Sequence, residues 1–332
     1  MMKLDIIAAD GSPLGVSLST LSGDDPKQIG CGGAELGILT LCEAWHNAGH
    51  KVRFYNNPRM TPGPFEQLPT TAFDPDEDRD VLIVFRSPNP LVNVAKGLKV
   101  WFSCDQYTQG DFAQFAPKVD KIVVISPFHA NYFATRYGIT DTIVIDLPVR
   151  TWEYEKKIDK VPGRCIWTSI ADRGLKRMID AWPRIVQARP DASMIITADY
   201  RLWGNAYPLS ERYMQRLIGM KNISMIGAVR RPQLVEEQLK AQLLVYPSLY
   251  DELFCYAVAE AQVAGAWPIT TSCGALPTTN MGTVFDGDYA EMTIKMLGEP
   301  QLPFMQQTIR EKAMQRFNTE RILAEWNKKV FN

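Results

Sequence analysis

The sequence predicts an α/β protein made of two Rossmann-like domains with parallel sheets, and three observations predict it. Short apolar segments alternate with amphipathic helical segments along nearly the whole chain, the pattern of parallel sheets covered on both faces. The alternation breaks once, at the charged residues 150–162 (RTWEYEKKIDKVP), and then restarts. The chain has 332 residues, 46% of them hydrophobic and 22% charged, enough for two cores.

The first half opens with a strand at 4–9 (LDIIAA). After a polar, glycine-rich loop, residues 30–57 (GCGGAELGILTLCEAWHNAGHKVRFYNN) read as glycine turn, amphipathic helix, glycine stop and second strand, a βαβ opening. Gly30, Gly32 and Gly33 allow backbone to approach a phosphate or sugar, although a glycine turn by itself is weak evidence and G-x-G-x-x-G is absent. Residues 58–79, rich in Pro, Asp and Glu, read as a surface excursion. Strand 81–87 (VLIVFRS), a short helix near 90–97, strand 99–107 (KVWFSCDQY) and strand 121–126 (KIVVIS) follow. A helix from Pro127 to Gly138 and strand 142–148 (TIVIDLP) complete this half.

The second half repeats the rhythm: strand 164–170 (RCIWTSI), helix 174–189, strand 193–200 (SMIITADY), helix near 210–219, strand 223–229 (ISMIGAV), helix 231–241 and strand 243–248 (LLVYPS). Next come a small-residue helix from about Phe254 to Ala264, stopped by Gly265, then strands 267–272 (WPITTS) and 283–287 (TVFDG). Two helices close the chain, one from Tyr289 and a long one from about Leu302 to Phe331.

Composition excludes several classes. A net charge of −1 gives no overall grip on nucleic acid, and no apolar run is long enough to cross a bilayer. The N-terminus runs from Met-Met-Lys into a strand without a signal-peptide layout, so a cytoplasmic location is expected. Six scattered cysteines without C-x-x-C, and histidines only at 46, 50 and 129, argue against a zinc site and a disulfide framework and suggest that most of the cysteines are small core residues. The pairs Asp74/Asp76 and Asp78/Asp80 lie in the excursion, away from strand ends, and read as solvated loop charge rather than a metal site.

Chemistry concentrates in residues 246–265 (YPSLYDELFCYAVAEAQVAG). The helix there has no polar face, so it is expected to be buried, and Glu260 within it needs a fixed polar partner or an opening to solvent. Glu252 stands eight positions earlier, roughly 12 Å if the interval is helical. Between them the amides of Phe254, Cys255 and Tyr256 would form a helix N-terminus suited to a diphosphate without a metal. This stretch, with the following strand and GALP at 274–277, resembles the donor-site signature of retaining glycosyltransferases of the GT-B fold, family-four (glycosyl transferases group 1) type.

The resemblance spans nearly the whole chain and is strongest over 164–280. It implies an acceptor domain at 1–150, a nucleotide-sugar domain at 151–300, and a terminal helix, 301–332, crossing back to the first domain. It implies a hexosyl- or pentosyltransferase that acts with retention and no required cofactor, its donor a nucleotide diphosphate sugar, UDP- or GDP-linked. Arg173, beside Ser169, matches the family's basic loop and would neutralise the leaving diphosphate, a task that suits a guanidinium fork. Lys176 and Arg177 share that role or are solvated helix residues. Glu252 would hold sugar hydroxyls, Glu260 the ribose, and the loop at Val229 the base through its backbone. Tyr200 and Trp203 either stack on the base or are loop aromatics. Gly33 belongs to a GGAE quartet like the family's N-terminal loop.

At Ser103-Cys104-Asp105 the family often has His-Asp; here Cys104 replaces the histidine, leaving Asp105 as the candidate, or as an ordinary strand-end cap. His129 is either a surface helix residue or a ligand. Cys104, and Leu253 and Cys255 where glycines are commoner, keep a catalytically silent binding protein open, as the fold keeps open an epimerase or phosphorylase. The acceptor (glycan, small molecule, protein or nucleic-acid base) is not readable.

Overall fold

The structure, a computed structural model, describes residues 1–8, 15–22, 30–60, 63–106, 110–203 and 211–332. They form two compact units. One runs to Pro148 and takes in Thr319–Asn332; the other comprises Gly30 and Val149–Asn318.

The first unit contains β1 (Lys3–Ile7), α1 (Leu18–Ser22), α2 (Gly33–Asn47), β2 (Lys51–Tyr55), β3 (Glu66–Leu68), β4 (Val81–Phe85), β5 (Leu98–Phe102), α3 (Phe112–Phe115), β6 (Lys121–Val124), α4 (Pro127–Tyr137) and β7 (Ile143–Val144). The strands make one parallel sheet in the order β3-β2-β1-β4-β5-β6-β7. The local rules are visible in α4. Ser126 accepts from the His129 amide (3.0 Å), Pro127 takes the first position, and Gly138 ends the helix at φ 69°. The continuous run VLIVF of β4 is buried at every position, as a central parallel strand requires.

The excursion at 58–79 is less detached than its composition suggests. It supplies edge strand β3 and is tied down by charge: buried Asp5 accepts from Arg53 at both oxygens (2.8 Å each) and from Arg79 (2.7 Å). Arg53 also pairs with Glu77, and Arg79 donates to the carbonyls of Asp74 and Pro75. The aspartates of this segment serve the loop: Asp74 accepts from the Asp76 amide, Asp78 pairs with Lys96, and Asp80 accepts from the Lys3 amide.

The second unit contains β8 (Arg164–Trp167), α5 (Leu175–Ala188), β9 (Ser193–Ile196), α6 (Glu211–Leu217), β10 (Ile223–Met225), α7 (Arg231–Lys240), β11 (Leu243–Tyr246), α8 (Tyr256–Val263), β12 (Trp267–Thr270), α9 (Leu276–Thr279), β13 (Thr283–Val284), α10 (Tyr289–Leu297) and α11 (Leu302–Arg316). Its parallel sheet runs β10-β9-β8-β11-β12-β13. Strand order therefore reverses between β8 and β11, and in the first unit between β1 and β4. Ligands of open α/β sheets bind outside the carboxyl ends of strands at such points.

The long terminal helix expected from 302 to 331 is broken. After α11, Phe317 is fully buried; its amide bonds the Ala313 carbonyl, its own carbonyl accepts from Val149, and its ring meets Phe254 edge-on. These contacts fix Phe317 outside helical geometry. The chain restarts as α12 (Thr319–Trp326) and a wide turn, Asn327–Phe331, in the first unit. There Trp326 packs edge-on against Trp45 and Phe102, 5.2 Å from each, while Lys121 donates to the carbonyls of Val330 and Asn332.

Candidate active site

In the second unit β8 and β11 end side by side, and the loops that follow them gather polar groups. Gly174, at φ 105°, is required there: a Cβ would lie 2.5 Å from the Pro247 carbonyl, so only glycine lets α5 start against the end of β11. Gly274, at φ 58°, does the same for Glu252, whose backbone would be 2.5 Å from a Cβ.

Glu252 is held from two sides. The Tyr246 hydroxyl donates to it at 2.7 Å, and the Arg173 guanidinium stands 3.7 Å away, lying over the Tyr250 ring at 3.1 Å from its centroid. Ser169 Oγ meets the Tyr246 hydroxyl at 3.1 Å, and Tyr246 stacks on Trp167. Burial raises the Glu252 carboxyl above its ordinary value, against the opposing pull of Arg173 and Tyr246. The fold thus brings Ser169, Arg173 and Glu252 together around Tyr246, which sequence reasoning treated only as the end of a strand.

Glu260 belongs to a different cluster. Only 5% exposed, it pairs with Arg231 (2.5 Å) and accepts from Gln238 (3.1 Å). Arg231 also bonds Glu153 (2.7 Å) and the Tyr154 hydroxyl (3.2 Å), and Tyr154 donates to Gln238 (2.6 Å). The fixed polar partner expected for Glu260 is therefore Arg231, at the start of α7, a residue that the sequence analysis did not single out.

The helix between the two glutamates begins later than its composition implies. Cys255 is its cap in the left-handed region, φ 68°, and Val258 and Ala259 both donate to the Cys255 carbonyl. Phe254 and Cys255 precede α8, and Tyr256 is its first residue. Because residues 252–255 are not helical, the helical interval of roughly 12 Å between the glutamates does not hold.

The other candidates fall as follows. Val229 sits in the loop after β10, where Asp199 accepts from the Ala228 amide (3.1 Å). Lys176 is exposed and pairs with Asp180, whereas Arg177 donates to the Pro247 carbonyl. Tyr200 is a buried core residue, and the Trp203 side chain lies outside the described residues. Of the cysteines, which are all free, 42, 165 and 255 are buried and 31, 104 and 273 half-buried. Among the described residues no cluster of His, Cys, Asp and Glu has the makings of a metal site.

In the first unit Gly33 opens α2, and half-buried Asp105 follows β5, its carboxylate accepting from the Gln106 amide (2.7 Å). His129 is neither on the surface nor open to a ligand: it is fully buried, its Nδ1 accepts from the Ile125 amide (3.4 Å), and its ring stands edge-on to Phe133 and against the Asp105 backbone. Burial pushes its pKa down to about 3. The unfolded value is about 6.5, so stability from this residue is complete above that pH and is lost as pH falls toward the folded value. Lowering pH from about 7.5 to about 5 is expected to cost ~2 kcal/mol through His129. Urea midpoints across that range should decline less steeply in His129→Leu; equal slopes would exclude this origin.

Residues 163–298 match the family model of glycosyl transferases group 1. A curated relative, the phosphatidylinositol N-acetylglucosaminyltransferase gpi3 subunit of Schizosaccharomyces pombe, is 26% identical over 106 residues, 32% of this chain and only 22% of that protein's length. Among solved structures, sucrose-phosphate synthase from Thermosynechococcus elongatus superposes with a TM-score of 0.76 at 14% identity, covering 99% of this chain and 98% of its own. Alr3699/HepE from Anabaena, solved with UDP and glucose, gives 0.72 at 14% identity over 99% of both chains. These likenesses show the fold, which is GT-B.

Proposed function

We propose that this protein, whose residues 163–298 match the family model of glycosyl transferases group 1, is a hexosyl- or pentosyltransferase that moves a sugar from a nucleotide diphosphate sugar to an acceptor with retention of configuration and without a metal. The observation that carries the proposal is the pairing of Arg173 with Glu252 at the point where the sheet order reverses, at the mouth of α8. HepE, a protein of the same fold, was solved with UDP-glucose, which supports a nucleotide-sugar donor, UDP- or GDP-linked in this reading.

In this reading Arg173, Ser169 and the backbone of Phe254, Cys255 and Tyr256, where the chain enters α8, hold the diphosphate. Glu252 takes sugar hydroxyls. Glu260 keeps Arg231 and Gln238 and offers its remaining lone pairs to the ribose, since a carboxylate has about four. The backbone at Val229 faces the base. Gly33 and Asp105 are the first unit's candidates, for the donor phosphates and for the chemistry. Catalysis rests on stabilising the departing diphosphate, whose oxygen takes the acceptor proton on the same face. Six free cysteines accord with a reducing, cytoplasmic setting, and no helix among the described residues is long and apolar enough to cross a membrane.

A second reading, a silent donor-binding protein, is favoured by Cys104: burial pushes its thiol up to about 12, so it cannot replace a histidine as a base near neutral pH. Multiple-turnover release of nucleoside diphosphate separates the two.

Thermal shifts with UDP, GDP, ADP and their sugar conjugates in EDTA test the donor site. A donor at a hundred times its Kd is expected to stabilise by ~2.7 kcal/mol, and Glu260→Gln to lose most of that. Stabilisation that needs a divalent ion would remove metal independence, and an inverted product anomer would remove retention.

A further inference from the structure

Ser169, Tyr246 and Glu252 are joined through hydroxyl groups, and the hydrogens of that chain can be counted. The Tyr246 hydroxyl donates to Glu252 Oε1 (2.7 Å) and lies 3.1 Å from Ser169 Oγ. A hydroxyl carries a single hydrogen. With Glu252 ionised, the Tyr246 hydrogen is committed to the carboxylate, so the hydrogen between the two hydroxyls must come from Ser169. Ser169 then offers only lone pairs beyond the chain, the wrong face for a phosphate oxygen. With Glu252 protonated, every bond in the chain reverses: the carboxyl donates to Tyr246, Tyr246 donates to Ser169, and the Ser169 hydrogen is turned outward.

The surroundings hold the three oxygens in place while the hydrogens change sides. Tyr246, fully buried at the end of β11, stacks on Trp167 at the end of β8, and the Trp167 indole donates to the Ser169 carbonyl (3.0 Å). One ring therefore seats both hydroxyl residues, and half-buried Ser169 keeps an outward side. Glu252 is fixed from the loop after β12, where the Ala275 amide donates to its carbonyl (2.7 Å). Among the described residues its carboxylate meets the Tyr246 hydroxyl from β11 and the Arg173 guanidinium, 3.7 Å away in the turn before α5. The nearby Cys255 thiol, at the cap of α8, is kept protonated by burial. Protonation of Glu252 thus also leaves the Arg173 charge for another anion.

We propose that Tyr246 and Ser169 relay the protonation of Glu252 to the diphosphate of a nucleotide sugar, so that the protein takes up a proton as the donor binds. The proposal rests on the donor-site reading above, in which Ser169 and Arg173 hold that diphosphate. The proton comes from solvent and resides on Glu252, no other covalent bond changes on binding, and release of nucleoside diphosphate returns it. Tyr246 is a positioning residue in this scheme, since it acts on the donor through Ser169. Burial, which already raises the Glu252 carboxyl, favours the protonated form. A diphosphate that accepts from Ser169 raises it further, so its titration in the complex lies above that in the free protein, and affinity increases as pH falls between the two.

The test is titration calorimetry of the full chain with UDP-glucose and GDP-glucose in EDTA, repeated in buffers of different ionisation enthalpy. The diphosphate of neither compound titrates near neutral pH, so a proton taken up belongs to the protein. Affinity for the sugar nucleotide that binds is expected to rise at least ~5-fold between about pH 8 and about pH 6, with net proton uptake. Ser169→Ala is expected to hold that change within about 2-fold. Carbon-13 NMR should find the Glu252 titration of the free variant unmoved, since the bond from Tyr246 remains. Tyr246→Phe should also flatten the pH dependence but move the free Glu252 titration upward, because the carboxylate loses a donor. If Tyr246→Phe does not fold, Ser169→Ala decides alone. Full pH dependence in Ser169→Ala would reduce the effect to repulsion between Glu252 and the diphosphate and overturn the relay, as would pH-independent binding by the parent; the donor reading survives both results. Failure of both sugar nucleotides to bind removes the donor reading and the relay with it.

Discussion

Arg173→Ala is expected to lower turnover of the nucleotide sugar ~10²–10³-fold, a loss of about 3–4 kcal/mol in stabilisation of the transition state. Charge builds on the diphosphate as its bond to the sugar breaks, and Arg173 is the cation held beside Glu252. Its plane is fixed over the Tyr250 ring, so the guanidinium requires little reorganisation when that charge develops. Arg173→Lys should recover only part of the rate, since an ammonium on a flexible stem lacks the two-pronged fork. A second signature follows from Glu252. Burial raises its carboxyl and Arg173 pulls it back, so losing Arg173 moves the Glu252 titration upward and the acid limb of kcat against pH shifts to higher pH. Arg173→Lys should keep the limb in place. Turnover of Arg173→Ala within a factor of about three of the parent would remove Arg173 from the chemistry.

Asp5→Ala is expected to destabilise the first unit by about 3–5 kcal/mol, because it leaves two buried guanidiniums without their shared anion. Arg79 has no exposed side-chain surface, and Arg53 keeps its pair with Glu77 and its place over the Tyr55 ring. Loss should be read as faster amide hydrogen exchange in β1, β2 and β3, while the strands of the second unit exchange as before. Asp5→Leu combined with Arg53→Met and Arg79→Met should recover much of the stability, since buried ion clusters exchanged for apolar groups of similar size are often neutral. If Asp5→Ala alone exchanges like the parent, solvent reaches the arginines and the network is a surface feature.

Elements with strong local signals were legible in sequence: α4, bounded by Ser126 and Gly138, and β4, apolar at every position, announce themselves through caps and burial. What escaped depends on partners distant in sequence. Arg86 at a strand end and Arg231 at a helix start look like solvated residues until Glu35 and Glu260 come to meet them, 51 residues away in the first case. β3 has three residues and no hydrophobic alternation of its own; pairing with β2 makes it a strand. His129 follows a helix-start signal that says nothing of the aromatic ring it will meet, and the break at Phe317 depends on Val149 and Phe254, far from it in the chain. At the candidate active site the residue types were readable, but the helix start was not, because a left-handed Cys255 is invisible to propensity.

The seating of Trp326 between Trp45 and Phe102 bears on the order in which the protein forms on the ribosome. The first unit emerges early, yet its aromatic seam is completed by residues made only after the whole of Val149–Asn318. At ordinary elongation rates that is a wait on the order of 10 s, longer than most domains need to collapse. Until then Trp45 and Phe102 lack the ring that packs edge-on against both, so this stage of synthesis is when the first unit is most open to chaperone capture or self-association, and a nascent chain stalled before residue 319 would stay without that partner for as long as it persists.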